Sequence, residues 1–166
     1  WQDVADTDAT VLDEMVEVNV AAVTRLARAV LPGMLERRRG RILNVASLAG
    51  FFPGPGAAVY YATKHYVIAF SESLAIEVED SGVVVSALCP GPVATGFADR
   101  AGLDVESMRG MAVLDARTCA EAGWRGLMAG RRIIIPGTGL RAMALVPRFV
   151  PRSVMAWGAK RVQNRT

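Results

Sequence analysis

Apolar residues Met15, Val18, Ala22, Leu26, Ala29 and Val30 recur at steps of three and four, the spacing of one helical face. The pattern predicts a helix that starts at Thr7 or Asp8, either of which can cap it. It should run to about Arg38, with Pro32 kinking its last part. Arg41–Ser47 follows Gly40 and carries I-L-N-V-A, a short buried strand. Leu48–Gly56, with two Phe, two Pro and three Gly, reads as loop. Helical spacing returns from Ala57 to Glu79, with Val67, Phe70, Leu74 and Val78 on one stripe. Ile68 and Ile76 lie off it, so two faces are expected to be covered, one by a sheet and one by a partner subunit.

Val83–Leu88 is rich in β-branched residues and reads as a strand ended by Pro90-Gly91. A long connection occupies residues 91–114. Asp115 is placed to cap a helix reaching about Ala129, before a third strand, R-R-I-I-I-P. Leu140–Gln163 reads as one or two helices broken at Pro147 and Pro151. This alternation predicts an α/β fold, a mostly parallel Rossmann-type sheet with flanking helices. Three strands make a narrow sheet with an open edge, so the sequence reads as the second half of a larger fold. Residues 1–137 are expected to form this part of the domain, and 138–166 a basic helical tail.

Composition adds bounds. At 166 residues and 52% hydrophobic, the chain has about the length of one domain and can bury a core. No run reaches about 18 uninterrupted apolar residues, which argues against a spanning helix. The start W-Q-D-V-A-D-T-D is polar, unlike a signal peptide, and carries no Met, as expected of a fragment or processed chain. Cys89 and Cys119 lie 30 apart without C-x-x-C spacing and only one His is present, so no metal site is expected. Cytoplasmic residence, or a position peripheral to a membrane, is the expected location.

Charge separates the two parts. Residues 1–130 hold 11 basic and 16 acidic side chains, a net of −5, whereas 131–166 hold 8 basic and none acidic, a net of +8. In the tail, Met143, Phe149, Val154 and Trp157 are interspersed with Arg141, Arg148, Arg152, Lys160 and Arg161. A segment of this kind can pack on its own domain, lie on an anionic membrane, cover a substrate pocket or dock an acidic carrier.

The chemistry concentrates in sixty residues. Tyr60 and Lys64 are four apart on a predicted helix and share a face, where an ammonium is expected to lower the phenol's pKa. Ser47 falls at the C-terminal end of a parallel strand, where open α/β sheets place their ligands. Tyr61 points about 100° away from Tyr60 and faces His65. Asn44, inside a strand, suits a structural role, and His65 a packed one. Phe51, Phe52, Phe97, Leu103, Met108 and Met111 are candidates for an apolar pocket or for plain packing.

N-V-A-S-L-A-G, Y-Y-A-T-K and P-G-P-V-A-T resemble, in order and spacing, the catalytic half of short-chain dehydrogenase/reductases. V-N-V-A-A-V resembles the helix bearing that family's catalytic asparagine, here Asn19. The resemblance covers roughly residues 1–137 and implies hydride transfer between a nicotinamide and a carbonyl or secondary alcohol. It makes Tyr60 the acid/base, Ser47 the partner of the substrate oxygen, and Lys64 the holder of the ribose that also lowers the Tyr60 pKa. Asn19 would bind a water at a local break in its helix and link Lys64 to solvent. Pro90 and Gly91 would lie along the nicotinamide, with Val93 and Thr95 at its carboxamide.

The family's T-G-x-x-x-G-x-G loop, its cofactor-specificity residue and its N-N-A-G strand have no counterpart in the sequence, so NAD or NADP is implied without a choice. A truncated chain acting as a binding or oligomerisation module is the competing expectation. The expected partners are a small apolar carbonyl or alcohol, a second copy meeting helices 8–38 and 57–80, and a membrane surface under the tail, with no nucleic acid.

Overall fold

The computed structural model describes residues 2–96 and 113–163. The chain opens with α1 (Ala9–Val16), passes through a π-helical turn at Glu17–Ala22 and continues as α2 (Val23–Glu36). Asp8 caps α1, its carboxylate accepting from the Thr10 amide at 2.8 Å. The helical stretch is thus interrupted at Glu17–Ala22, in keeping with the local break expected at Asn19, while Pro32 stays inside α2. By length and mean hydropathy, 1.2 in its most apolar window, Ala9–Glu36 is long and apolar enough to cross a membrane. The sequence expectation had rested on uninterrupted runs, which the charges at 13–28 break.

Strand β1 (Gly40–Val45) pairs in parallel with β2 (Val83–Leu88), from Gly40 opposite Val83 to Val45 opposite Leu88. Between them lie a 3₁₀ turn at Leu48–Phe51, within the expected loop, and α3 (Ala58–Glu77). Two-residue strands β3 (Val93–Ala94) and β4 (Leu114–Asp115) form a small parallel ribbon that the sequence did not indicate. Asp115 caps α4 (Ala116–Met128), accepting from the Thr118 amide at 2.9 Å. Strand β5 (Ile133–Ile134) then pairs with β2, giving the sheet order β1-β2-β5. The rest is helical: α5 (Thr138–Leu145), a 3₁₀ turn at Val146–Arg148, and α6 (Arg152–Gln163).

Alternation along β2 makes two layers. Val83 and Val85 face α2 and α3, packing with Ala27, Leu74 and Val78. Ala87 continues on that side against Val67 and Ile68. Val84 and Leu88 face the other way, onto Cys119 and Leu127 of α4. Helices on both faces of a parallel sheet are the Rossmann arrangement. Of the two residues off the α3 stripe, Ile68 is buried and Ile76 is 58% exposed. Among the described residues nothing pairs with the free side of β1, so the expected open edge is present.

Candidate active site

Parallel pairing brings the C-terminal ends of β1 and β2 side by side. Their ladder continues past both strands: the Ala46 amide donates to the Leu88 carbonyl and the Leu48 amide to the Pro90 carbonyl, each at 2.8 Å. Ser47 is thereby fixed next to Pro90, although 43 residues separate them in sequence. Its hydroxyl oxygen accepts from the Ala49 amide at 3.1 Å and caps the 3₁₀ turn. The same hydroxyl hydrogen-bonds the Tyr60 phenol in the sense that favours phenolate. Ser47 therefore both caps the strand end and touches the candidate acid.

Tyr60 and Lys64 lie in the first two turns of α3. The Lys64 ammonium sits 5.7 Å from the Tyr60 ring centroid and donates to the Val45 carbonyl at 3.1 Å. The expected lowering of the Tyr60 pKa by this ammonium is not what the environment produces. Burial raises the phenol above 10.0, and the Ser47 hydrogen bond opposes it only in part. Lys64 moves the other way, lowered from 10.5 by its own burial. Lys64 gives its hydrogen bond to the Val45 backbone carbonyl.

Asn19 lies in the π-helical turn, a widened helix geometry often found at functional sites. Its amide donates to the Thr63 hydroxyl at 3.2 Å, and that hydroxyl donates to the Tyr60 carbonyl at 2.8 Å. One turn further along, the Thr24 and Tyr66 hydroxyls are 2.6 Å apart. Two polar contacts therefore fasten this turn and the start of α2 to the part of α3 that carries Tyr60 and Lys64.

The remaining candidates divide by surroundings. Gly91 lies against α5, where an added Cβ would come within 2.6 Å of Leu140 Cδ1. Val93 packs toward the Leu88–Cys119 cluster, and Thr95 is exposed beyond it. Asn44 is buried, its amide donating to the Ser71 hydroxyl at 2.9 Å. Tyr61 meets Tyr60 edge-on at 6.0 Å and packs over Gly54, while His65 Nδ1 bonds the Tyr61 carbonyl at 2.8 Å. Phe51 and Phe52 pack on Leu48 and Leu140. Phe97, Leu103, Met108 and Met111 lie outside the described residues.

Sequence reasoning missed two residues. Thr63 is a buried hydroxyl four residues before Val67 on the buried stripe, and a polar group on such a stripe was the available signal. Gly50 lets the 3₁₀ turn touch α3: an added Cβ would come within 2.5 Å of Ile68 Cδ1 and 2.7 Å of the Lys64 carbonyl. A Gly/Pro-rich stretch gives no sign of which element packs on Gly50.

Comparison with known proteins bears on the family and the fold. Residues 1–106 match the short chain dehydrogenase family. A very-long-chain 3-oxoacyl-CoA reductase of Anas platyrhynchos is 44% identical over 93 residues, 56% of this chain and 30% of that protein. A short-chain dehydrogenase from Sphingobium yanoikuyae in complex with NADPH superposes with a TM-score of 0.76 at 31% identity, over 87% of this chain and 56% of that one. A 3-oxoacyl-[acyl-carrier protein] reductase with bound NAD from Brucella melitensis gives 0.64 at 27% identity, over 81% and 53%. The chain thus spans a little over half the length of these solved structures and under a third of the curated relative. With a family match over most of its residues and a shared fold, the chain belongs to the short-chain dehydrogenase family.

Proposed function

We propose that this chain carries the catalytic part of a nicotinamide-dependent oxidoreductase that interconverts an apolar carbonyl compound and its secondary alcohol. One observation carries the reading: Ser47, Tyr60 and Lys64 converge beside Pro90 at the C-terminal ends of β1 and β2. A hydroxyl, a phenol and an ammonium make a donor set that fits the ribose and nicotinamide end of NAD or NADP. Lys64 gives one N–H to Val45 and keeps others for ribose hydroxyls. Pro90, Gly91, Val93 and Thr95 would line the nicotinamide. A bound nicotinamide dinucleotide supplies the hydride in reduction and takes it up in oxidation.

The residues divide the work on the proton and on charge. In reduction, the Tyr60 O–H donates its proton to the carbonyl oxygen as negative charge grows there. Ser47 donates a hydrogen bond to that oxygen and steadies the same charge. In oxidation the Tyr60 oxygen accepts the alcohol proton. A phenol held above 10.0 by burial is protonated at neutral pH, which suits the reductive direction. Asn19, through Thr63, holds the turn of α3 that carries the acid. The names of the reductases similar to this chain support 3-oxoacyl thioesters as the first substrate class to assay.

The test is Tyr60→Phe in the protein at its natural length. Carbonyl reduction should fall by about a hundredfold or more, while NADPH or NADH binding, followed by fluorescence, stays within about twofold. Reduction by the unaltered protein should be level near neutral pH and decline only as pH rises past the phenol's ionisation. Turnover that survives in Tyr60→Phe removes the phenol from the mechanism.

A further inference from the structure

We propose that α5, the turn after it and α6 form a docking face for a lipid bilayer with anionic headgroups. The proposal goes beyond the reaction and stands on different residues. Residues 131–166 carry 8 basic side chains and no acidic one. Part of this region is anchored: Leu140 and Ala144 are buried against Leu48, and Arg141 Nε donates to the Ile135 carbonyl at 2.8 Å.

Several apolar side chains of this region are uncovered. Phe149 is 83% exposed, Trp157 58% and Val154 52%, with Met143, Leu145 and Val146 also open. No described element packs extensively on α6. The Arg161 guanidinium lies over the Trp157 ring at 4.2 Å, so cation and aromatic share one surface there, and Arg148 and Phe149 are both exposed in the turn before α6.

That combination matches a membrane interface. Aromatic and aliphatic groups enter the headgroup boundary while arginine and lysine stay at the charged surface. An exposed Phe149 can enter a bilayer without a preformed pocket, which an acidic protein would have to supply. The anchored half of α5 also sets Leu48, the neighbour of Ser47, within one helix of the docked face. An apolar substrate dissolved in the bilayer would then have a short path to the site.

Flotation with vesicles tests this, because aggregated protein does not float. The chain should float with vesicles of phosphatidylcholine mixed with phosphatidylserine and remain below with phosphatidylcholine alone. Arg148→Gln, Lys160→Gln and Arg161→Gln should each weaken binding about fivefold, and Phe149→Ala about tenfold. All four side chains are exposed, so unchanged far-ultraviolet circular dichroism is expected of every variant. Equal flotation with both vesicle types overturns the proposal. So does undiminished flotation of the variants, which would move the contact to Ala9–Glu36. Retention on immobilised polyglutamate without flotation assigns the face to an acidic protein instead, and overturns it too.

Discussion

Beneath Lys64 lies Cys89, whose thiol is fully buried and pushed up to about 12 from its ordinary 9.0. Desolvation is the main cause; the charge of Glu72 adds to it and that of Lys64 opposes it. The thiol's folded pKa lies above its unfolded one, so its contribution to stability is full below about 9 and is lost as pH rises toward about 12. Across that window the unfolding free energy of the unaltered chain, from urea melts, should fall more steeply than that of Cys89→Ala, by up to about 1.4 kcal/mol per pH unit. Parallel slopes would mean the thiol ionises as readily folded as unfolded. Tyr60 and Tyr61, raised in both proteins, cancel in the difference. At this scale the Tyr60–Lys64 pair was legible, because four residues make one helical turn. The direction of the Tyr60 pKa was not, since burial by other elements appears in no local spacing.

The elements show a similar division. Val83–Leu88 was readable because its β-branched residues suit only a covered strand, and Asp115 because its carboxylate precedes an uninterrupted helix. The π-helical turn was signalled only by the family resemblance, which implied a local break at Asn19, for E-V-N-V-A-A itself contains no residue that breaks a helix. It coincides with contacts to α3, Asn19 to Thr63 and Thr24 to Tyr66, that bridge more than forty residues of chain. Ribbon β3–β4 was hidden for the same reason, its two short strands lying twenty residues apart. Gly50 gives the element scale its test. Gly50→Ala should push the 3₁₀ turn off α3 and cost roughly 1–3 kcal/mol. At Gly139, in α5, an added Cβ meets nothing within 4 Å. Gly139→Ala should therefore raise stability by about 0.5–1 kcal/mol. Thermal unfolding compares them, and two shifts of one sign would contradict the packing assigned to Gly50.

For the molecule as a whole, the exposed apolar side of α1 and α2 dominates. Val18 is 65% exposed and Leu26 67%, Val11, Val16 and Val30 of the same helical stretch are exposed too, and Ile76 of α3 is at 58%. Exposed apolar side chains in this number on one helical stretch point to an interaction surface. A second copy is our proposed occupant. Light scattering behind a sizing column should report at least twice the 17.7 kDa of one chain. Leu26→Asp or Val18→Asp should return the mass to a single chain, and an unchanged mass would exclude this face as the contact. The open edge of β1 and the narrow sheet were legible as an incomplete layer. Which side chains stay uncovered needed the fold, because Ile68 and Ile76 are alike in sequence and opposite in burial.

The π-helical turn has one more consequence, for inheritance. Such a turn holds one residue more than an α-helix uses for the same contacts. Losing any one codon between Glu17 and Ala22 would let the backbone relax into a regular helix. The flanking turns would keep their facing, but the widened turn that presents Asn19 to Thr63 would be gone. A lineage that keeps this chemistry can exchange residues there, yet cannot shorten the segment.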